Sequence, residues 1–252
     1  IQDIGTRFYT YIGTMALSME AAKEHGKEFV VLDRPNPVGG HRVEGIVANE
    51  EVTGVTTAIY PIPTRHGMTV GELAKMFNDH WEIGVDLTVV PMKNWRRDMY
   101  YDETGLLWIN PSPNMKTLAG AILYPGMGAA ETTNLSCGRG TDHPFEMYGT
   151  PYFDKEELAT EMNSRDIPGI HFVPHTFIPT AQYHDYQGET CHGIYAVVYD
   201  REAFNSVIAG MHMVQAMHKN APEEFQDQGG FKTSLGDPQA WNLLAEQNKK
   251  PE

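Results

Sequence analysis

Phe29-Val-Val-Leu32 and its flanks constrain the fold more than any other part of the chain. Four consecutive apolar residues fit a strand buried on both faces, the kind that parallel sheets use. Asp33-Arg-Pro-Asn-Pro-Val-Gly-Gly40 stops the run at once, with two prolines and two glycines fixing a loop at its carboxyl end. Upstream, Ile12, Met15, Ala16, Met19 and Ala22 recur at helical spacing, and Gly26 suits the position just past a helix end. Downstream, Thr69-Val-Gly-Glu72 reads as a capping box that opens a helix with Val70, Leu73, Ala74 and Phe77 on one face. Asp86-Leu-Thr-Val-Val90 is the next strand-like run. Helix and strand alternating over short connections predict a doubly wound α/β layer. Ligands bind such sheets at the carboxyl ends of the strands, which is where the 33–40 loop falls.

The alternation then breaks. Residues 94–105 are irregular, and Asn110-Pro-Ser-Pro-Asn114 is a proline-rich connector. Residues 1–110 therefore read as part of a Rossmann-like α/β domain, and 111–252 as a smaller mixed α/β domain. In the latter, Asp154 caps a helix carrying Leu158, Ala159 and Met162, and Ile170–Val173 and Ile194–Tyr199 read as strands. Asp200 is expected to cap a long helix whose Phe204, Val207, Ile208, Met211 and Met217 side is core. Residues 229–252 end polar, with Trp241 and Leu244 as the docking points.

Composition removes several function classes. The formal net charge of −14 over 252 residues, with no basic cluster, argues against nucleic acid as a partner. It also means that an anionic substrate requires a local cationic pocket. No run approaches the roughly 18 apolar residues of a membrane span. Cys137 and Cys191 are too few for a disulfide framework, and sequence does not place them as a pair. His171 and His175 flank Pro174, which rules out a metal-binding helix there. There is no GxGxxG for a dinucleotide and no GxSxG nucleophile elbow, so neither cofactor nor metal is expected.

Chemistry concentrates in Glu131-Thr-Thr-Asn-Leu-Ser-Cys-Gly-Arg-Gly-Thr-Asp-His-Pro-Phe-Glu146. Three carboxylates and an arginine between two glycines suit a loop that shapes a polar pocket, Gly138 and Gly140 letting the backbone come close to a ligand. In the α/β reading the loops 3–10, 33–40 and 63–69 also converge. They offer Asp3, Arg7, Asp33, Arg34, Asn36 and His66, to which the later loop adds Glu131, Arg139, Asp142 and Glu146. Paired carboxylates in an aromatic-lined polar pocket equip a chain for glycoside hydrolysis, and nearby arginines suit a sugar that carries its own carboxylate. Taken singly, Asp3 beside Arg7 and Asp33 beside Arg34 fit turn-bracing better than catalysis.

Four motifs in register carry a resemblance. They are Asp3-Ile-Gly-Thr-Arg-Phe-Tyr-Thr-Tyr11, Leu32-Asp-Arg-Pro-Asn-Pro37 with Gly39-Gly40, His66-Gly-Met-Thr69 with Gly71-Glu72, and Gly138-Arg-Gly-Thr-Asp142 with Pro144-Phe145. Together they resemble the NamZ-like family of exo-β-N-acetylmuramidases. The resemblance implies a Rossmann-like domain, a smaller C-terminal domain and a site in the cleft between them. It implies release of N-acetylmuramic acid from the non-reducing end of peptidoglycan fragments, outside the cytoplasm, behind an export signal. Within it, Glu131 is the second carboxylate. Arg139, with Arg7 as the alternative, takes the lactyl carboxylate. Asp142 and Asn134 hydrogen-bond sugar hydroxyls or the N-acetyl group, His66 lines the floor, and Asp3 and Asn36 are further substrate-binding candidates.

Two departures from the family pattern bear on activity. The family's Pro-Glu-His-Gly motif, whose glutamate is its favoured acid, does not occur in these 252 residues. The chain opens without an initiator Met, and Ile1–Ile4 reads as a strand end, so a longer protein is expected. Thr132 also stands where the family has glycine, a change expected to close φ > 0 there or to narrow the pocket. The alternative function is a muropeptide-binding protein without turnover. Oligomeric state leaves no signal in the sequence.

Overall fold

Residues 2–247 are described by the structure, a computed structural model. The expected α/β layer is present. Helix α1 (Tyr11–Glu24) leads into β1 (Phe29–Leu32), and helix α2 (Val70–Asp79) into β4 (Leu87–Val90). β1 and β4 pair in parallel from Phe29 opposite Leu87 to Leu32 opposite Val90. Both halves of the Thr69–Glu72 capping box form, which satisfies two orphan amides at the start of α2. Ile12, Ala16 and Met19 of α1 meet Leu73, Ala74 and Phe77 of α2 over Val31. Phe77 is fully buried, so Phe77→Ala is expected to cost about 3–5 kcal/mol. One expectation fails: Val31 is buried, but Val30 and Leu32 are exposed. Alternate residues of a strand face opposite ways, and α1 and α2 cover only one face of this pair. Of the expected strand end at the start of the chain, Ile1 lies outside the described residues, and 2–4 have no regular structure.

Between these units, β2 (Glu44–Val47) and β3 (Pro63–Arg65) form an antiparallel pair. Arg65 of β3 forms a buried ion pair with Glu44 of β2, and Glu44 Oε2 accepts the Ser206 amide at 3.0 Å. This link carries the first half of the chain onto the second.

The second half begins with α3 (Leu118–Met127), which is buried nearly all round and so shows no helical periodicity in the sequence. A three-stranded antiparallel sheet follows in the order β5 (Met147–Thr150), β7 (Cys191–Val198), β6 (Ile170–Phe177). Pro174 is tolerated in β6 because β6 is an edge strand, where a missing N–H loses no ladder bond. Helix α4 (Lys155–Asn163) packs on this sheet, with Asp154 Oδ1 capping Glu156 and Glu157 as expected.

Helix α5 (Ser206–Asn220) departs from the sequence reading. Asn205 caps it by accepting the Ile208 amide, while Asp200 braces a preceding turn through the Glu202 and Ala203 amides. The buried face is Ala209, Gly210, Met213, Val214, Ala216 and Met217, and Ile208 is exposed. Two glycines set that rotation. A Cβ on Gly126 of α3 would overlap the Ser206 carbonyl, and one on Gly210 would overlap the Gly126 backbone. The two helices therefore touch backbone to backbone, which no apolar periodicity announces.

Helices α6 (Phe231–Leu235) and α7 (Ala240–Gln247) close the main core. Leu244 is buried and Trp241 packs on Phe225 and Phe231, as docking points should. The polar stretch expected after them lies partly outside the described residues. Ile4, Phe8, Tyr9, Val38 and Tyr100 join the same core as Tyr124, Phe145 and Phe172, so residues on both sides of the 110–114 connector share it. Among the described residues no helix is long and apolar enough to cross a membrane.

Candidate active site

The predicted site residues fall into two groups. Asp3, Asn36 and His66 come together, because the 3–10, 33–40 and 63–69 loops do converge. His66 Nε2 lies 3.2 Å from Asp3 Oδ2, and its Nδ1 accepts the Met68 amide at 3.2 Å, which places the ring proton toward Asp3. Asn36 accepts the Val38 amide at 3.1 Å and donates to the Met68 carbonyl at 3.0 Å. Asp33 accepts from Thr69 Oγ1 at 2.9 Å and the Gly71 amide at 2.8 Å, tying β1 to α2. Asp3, Asn36 and His66 are all buried, and only Asp3 Oδ1 among their polar atoms lacks a partner.

Arg7 is buried beneath this group rather than beside a ligand cavity. It sits in a 3-10 turn (Arg7–Tyr9) and donates Nη1 to the Thr57 and Thr233 carbonyls at 3.1 and 2.8 Å, and Nη2 to the Ser234 carbonyl at 2.9 Å. All three acceptors are neutral. With no counter-charge to offset burial, its pKa falls to about 10. Arg7 crosses the molecule as a brace, which removes the position from reach of a lactyl carboxylate.

Glu131 and Arg139 form the second group. A 3-10 turn (Gly128–Thr132) continuing α3 presents Glu131, and the left-handed glycines Gly138 and Gly140 turn the backbone around Arg139. The two side chains form an ion pair, and Tyr124 donates to the other Glu131 oxygen at 2.5 Å. The Arg139 guanidinium lies 4.8 Å from the centre of the Phe145 ring. Burial pulls the Arg139 pKa down, but the charge and hydrogen bond of Glu131 outweigh it and the net shift is upward. Burial, reinforced by Glu131, holds the Tyr124 hydroxyl far above its ordinary value, so it stays a donor. The same two causes push the Cys137 thiol up, so its thiolate is not a nucleophile here. Cys137 and Cys191 are both free and buried, and burial pushes Cys191 up to about 12.

A cavity of about 130 Å³ opens beside this pair. Glu131, Ser136, Cys137 and Arg139 form one wall, and Tyr183, His184, Asp185 and Gln228 the other. The second wall was not anticipated from sequence. Its signal was the segment Gln182-Tyr-His-Asp-Tyr-Gln187, polar and aromatic between Pro179 and Gly188 in a strand-to-strand connection. Burial and the neighbouring Arg139 charge lower the His184 pKa, which keeps its imidazole neutral.

Besides Arg7 and the Asp3, Asn36 and His66 group, two further predicted contacts do not line this cavity. Asn134 spends its side-chain amide on the Glu224 carbonyl at 2.7 Å and the Gln226 amide at 2.8 Å, closing a loop. The Asp142 side chain is 99% exposed, 3.9 Å from Lys116 Nζ. The pocket-narrowing expected at Thr132 also has a different outcome. Thr132 is not among the residues with positive φ. Its hydroxyl bonds the Ala129 carbonyl and its side chain packs against Gly230, so a β-branched residue fits without strain.

Comparison with known proteins agrees along the whole chain. Residues 1–119 match the family profile "Exo-beta-N-acetylmuramidase NamZ, N-terminal", and residues 122–252 match its C-terminal counterpart. A Bacillus subtilis (strain 168) protein named peptidoglycan beta-N-acetylmuramidase NamZ is 49% identical over 226 residues, covering 90% of this chain and 54% of that relative. The chain thus spans about half the length of the curated relative it matches. Two crystal structures of DUF1343 family proteins from Bacteroides fragilis NCTC 9343 share the fold. One has a TM-score of 0.89 at 33% identity, covering 99% of this chain and 67% of that one. The other has a TM-score of 0.77 at 30% identity, with the same coverage. This chain belongs to the exo-beta-N-acetylmuramidase NamZ family.

Proposed function

We propose that this chain forms part of an exo-acting glycoside hydrolase that releases N-acetylmuramic acid from the non-reducing end of peptidoglycan fragments. The observation that carries the reading is Arg139: a partly buried guanidinium, stacked on Phe145 and oriented by Glu131, at a cavity in a chain of net charge −14. A planar, pre-oriented guanidinium suits the lactyl carboxylate that distinguishes a muramyl sugar from N-acetylglucosamine. Glu131 serves as the second carboxylate. It holds Arg139 and keeps lone pairs for a sugar hydroxyl or a water. It accepts from both Tyr124 and Arg139, which suits it poorly to donate the proton that the leaving oxygen needs. The proton donor is assigned instead to the family's Pro-Glu-His-Gly segment, outside these 252 residues. His184 and Ser136 line the same cavity and are available to the acidic side arm or a hydroxyl next to it, in place of Asn134 and Asp142. The same reading proposes a location outside the cytoplasm, where peptidoglycan lies, and fractionation of the producing cells tests it.

The doubly engaged Glu131 also favours a second reading, a muropeptide-binding protein without turnover. Both readings meet one experiment. A β-linked MurNAc–GlcNAc disaccharide is incubated with the full-length gene product and with the 252-residue chain, and free N-acetylmuramic acid is measured. Release by the full-length protein alone is expected. Release by both would return the proton donor to this chain, with Glu131 the first to mutate. Release by neither folded protein would leave the binding reading. Arg139→Ala is expected to weaken muramyl ligands roughly 10- to 100-fold, in line with loss of a charge-assisted contact, and N-acetylglucosamine ligands little. Equal losses on both would remove the carboxylate role.

A further inference from the structure

We propose that Tyr183 is the platform on which the sugar ring rests while its acidic substituent enters the Arg139 cavity; this rests on the muramyl reading above. Size is the first argument. Sites that enclose a whole small-molecule ligand measure roughly 300–1,000 Å³. The cavity beside Arg139 is about 130 Å³, enough for an acidic side arm but not for an N-acetylated hexose ring. The ring of such a ligand therefore stays outside, on the exposed end of the wall that Tyr183 contributes.

The state of Tyr183 is the second argument. It is 98% exposed, the most exposed large hydrophobic side chain among the described residues. It has no hydrogen-bond or ring partner among them. It also holds a left-handed backbone at φ 63°, as Tyr186 does at φ 61° in the same loop. A bulky side chain rarely adopts that conformation, and surrounding contacts must hold it there.

Those contacts are present, and they tie the loop to the cation. The Thr180 and Ala181 amides both donate to the carbonyl of Arg139, at 3.2 and 3.3 Å. Thr180 Oγ1 donates to the Gly140 carbonyl at 2.8 Å. A Cβ on Gly140 would overlap the Ala181 amide, so glycine is what admits the loop. Beyond Tyr183, Gln228 Nε2 donates to Asp185 Oδ2 at 2.9 Å. Tyr186 packs edge-on to Tyr152, with ring centroids 6.4 Å apart. The loop is thus pinned on both sides of an exposed aromatic face, and the residue that supplies the charge also anchors the platform. An aromatic face offers apolar area to the C–H face of a pyranose at little conformational cost, since a tyrosine has only two side-chain torsions to fix.

The test is calorimetric binding of N-acetylmuramic acid and N-acetylglucosamine to the full-length gene product and to Tyr183→Ala, Tyr183→Phe and Tyr183→Trp. Because Tyr183 is exposed and unpartnered, all three variants should keep the native circular dichroism spectrum. Y183A is expected to weaken both sugars by the same factor, about three- to tenfold, the range for one aromatic contact. Y183F and Y183W are expected to bind like the native protein. On the disaccharide, Y183A should raise KM by that factor and leave kcat unchanged. Native affinity in Y183A would overturn the platform. So would Y183F as weak as Y183A, which would make the hydroxyl the contact, or a Y183A loss confined to the muramyl sugar. A native protein with no preference for the muramyl sugar would instead sink the muramyl reading. The Y183A comparison on N-acetylglucosamine would still decide the platform.

Discussion

Arg7 and Arg139 both sit within motifs that the sequence singles out, and the fold uses them in opposite ways. Arg7 is fully buried, binds three neutral carbonyls and loses pKa to burial. Arg139 is partly open, has a carboxylate partner and an aromatic rest, and its pKa moves up. The Asp3–His66 pair is buried among converging loops, with Asp3 also lining a cavity of about 290 Å³ against β1. The more open Glu131–Arg139 pair lies beside the cavity of about 130 Å³. Motif membership does not separate a brace from a binding group. For these two arginines, a counter-charge combined with access to a cavity does.

Stability is where this comparison breaks most visibly if it is wrong. Arg7→Met would leave the Thr57, Thr233 and Ser234 carbonyls without their donor, each worth about 1–3 kcal/mol when buried and unsatisfied. A total loss of about 4 kcal/mol is expected in urea unfolding, on that same scale. Arg139→Met should cost only about 1 kcal/mol, because its pair is partly solvated. Equal losses would end the distinction between brace and site.

A smaller effect sharpens the contrast between the two acid-base pairs. A double-mutant cycle on Asp3→Asn and His66→Gln should give a coupling of about 1–2 kcal/mol, typical of contacting buried groups. The cycle on Glu131→Gln and Arg139→Met should give less, about 0.5–1 kcal/mol. The reverse order would make the Glu131–Arg139 pair the structural one.

What the sequence disclosed follows from which forces act locally. The Thr69–Glu72 box and the Asp154 cap are each written within a few residues, as are the separate helix and strand runs whose alternation predicted the β1–β4 layer and the convergence of its loops, and each formed. The α5 register was hidden because backbone contact between Gly126 and Gly210 decides it across a long sequence separation. Within the candidate site, Glu131 and Arg139 were legible from charge and glycine spacing. The opposite wall was not, because Tyr183 and His184 reach the cavity only through bonds from their loop to the Arg139 and Gly140 carbonyls. Asn134 has the right chemistry but is spent on residues 224–226, a use that depends on tertiary pairing.

The smallest expected effect concerns pH, and it too divides the molecule. His175, His184, His212 and His218 all have lowered pKa values, with burial the leading cause, and all lie in the second half of the chain. A histidine lowered on folding favours the neutral form in the native state. Its contribution is therefore complete above the unfolded value near pH 6.5 and is lost as pH falls through the lower folded value. Thermal unfolding should be flat from pH 8 to 7 and fall progressively below about pH 6.5. His212 offers a specific handle, because its Nδ1 faces Arg165 Nη1 at 3.1 Å and must act as the acceptor there. Protonation would set two cations against each other, whereas an amide oxygen would still accept. His212→Gln should change stability at pH 8 by less than about 0.5 kcal/mol, as ordinary surface substitutions do, and should flatten the decline below pH 6.5. An unchanged acid slope in H212Q would move the acid-sensitive contact to His175, His184 or His218.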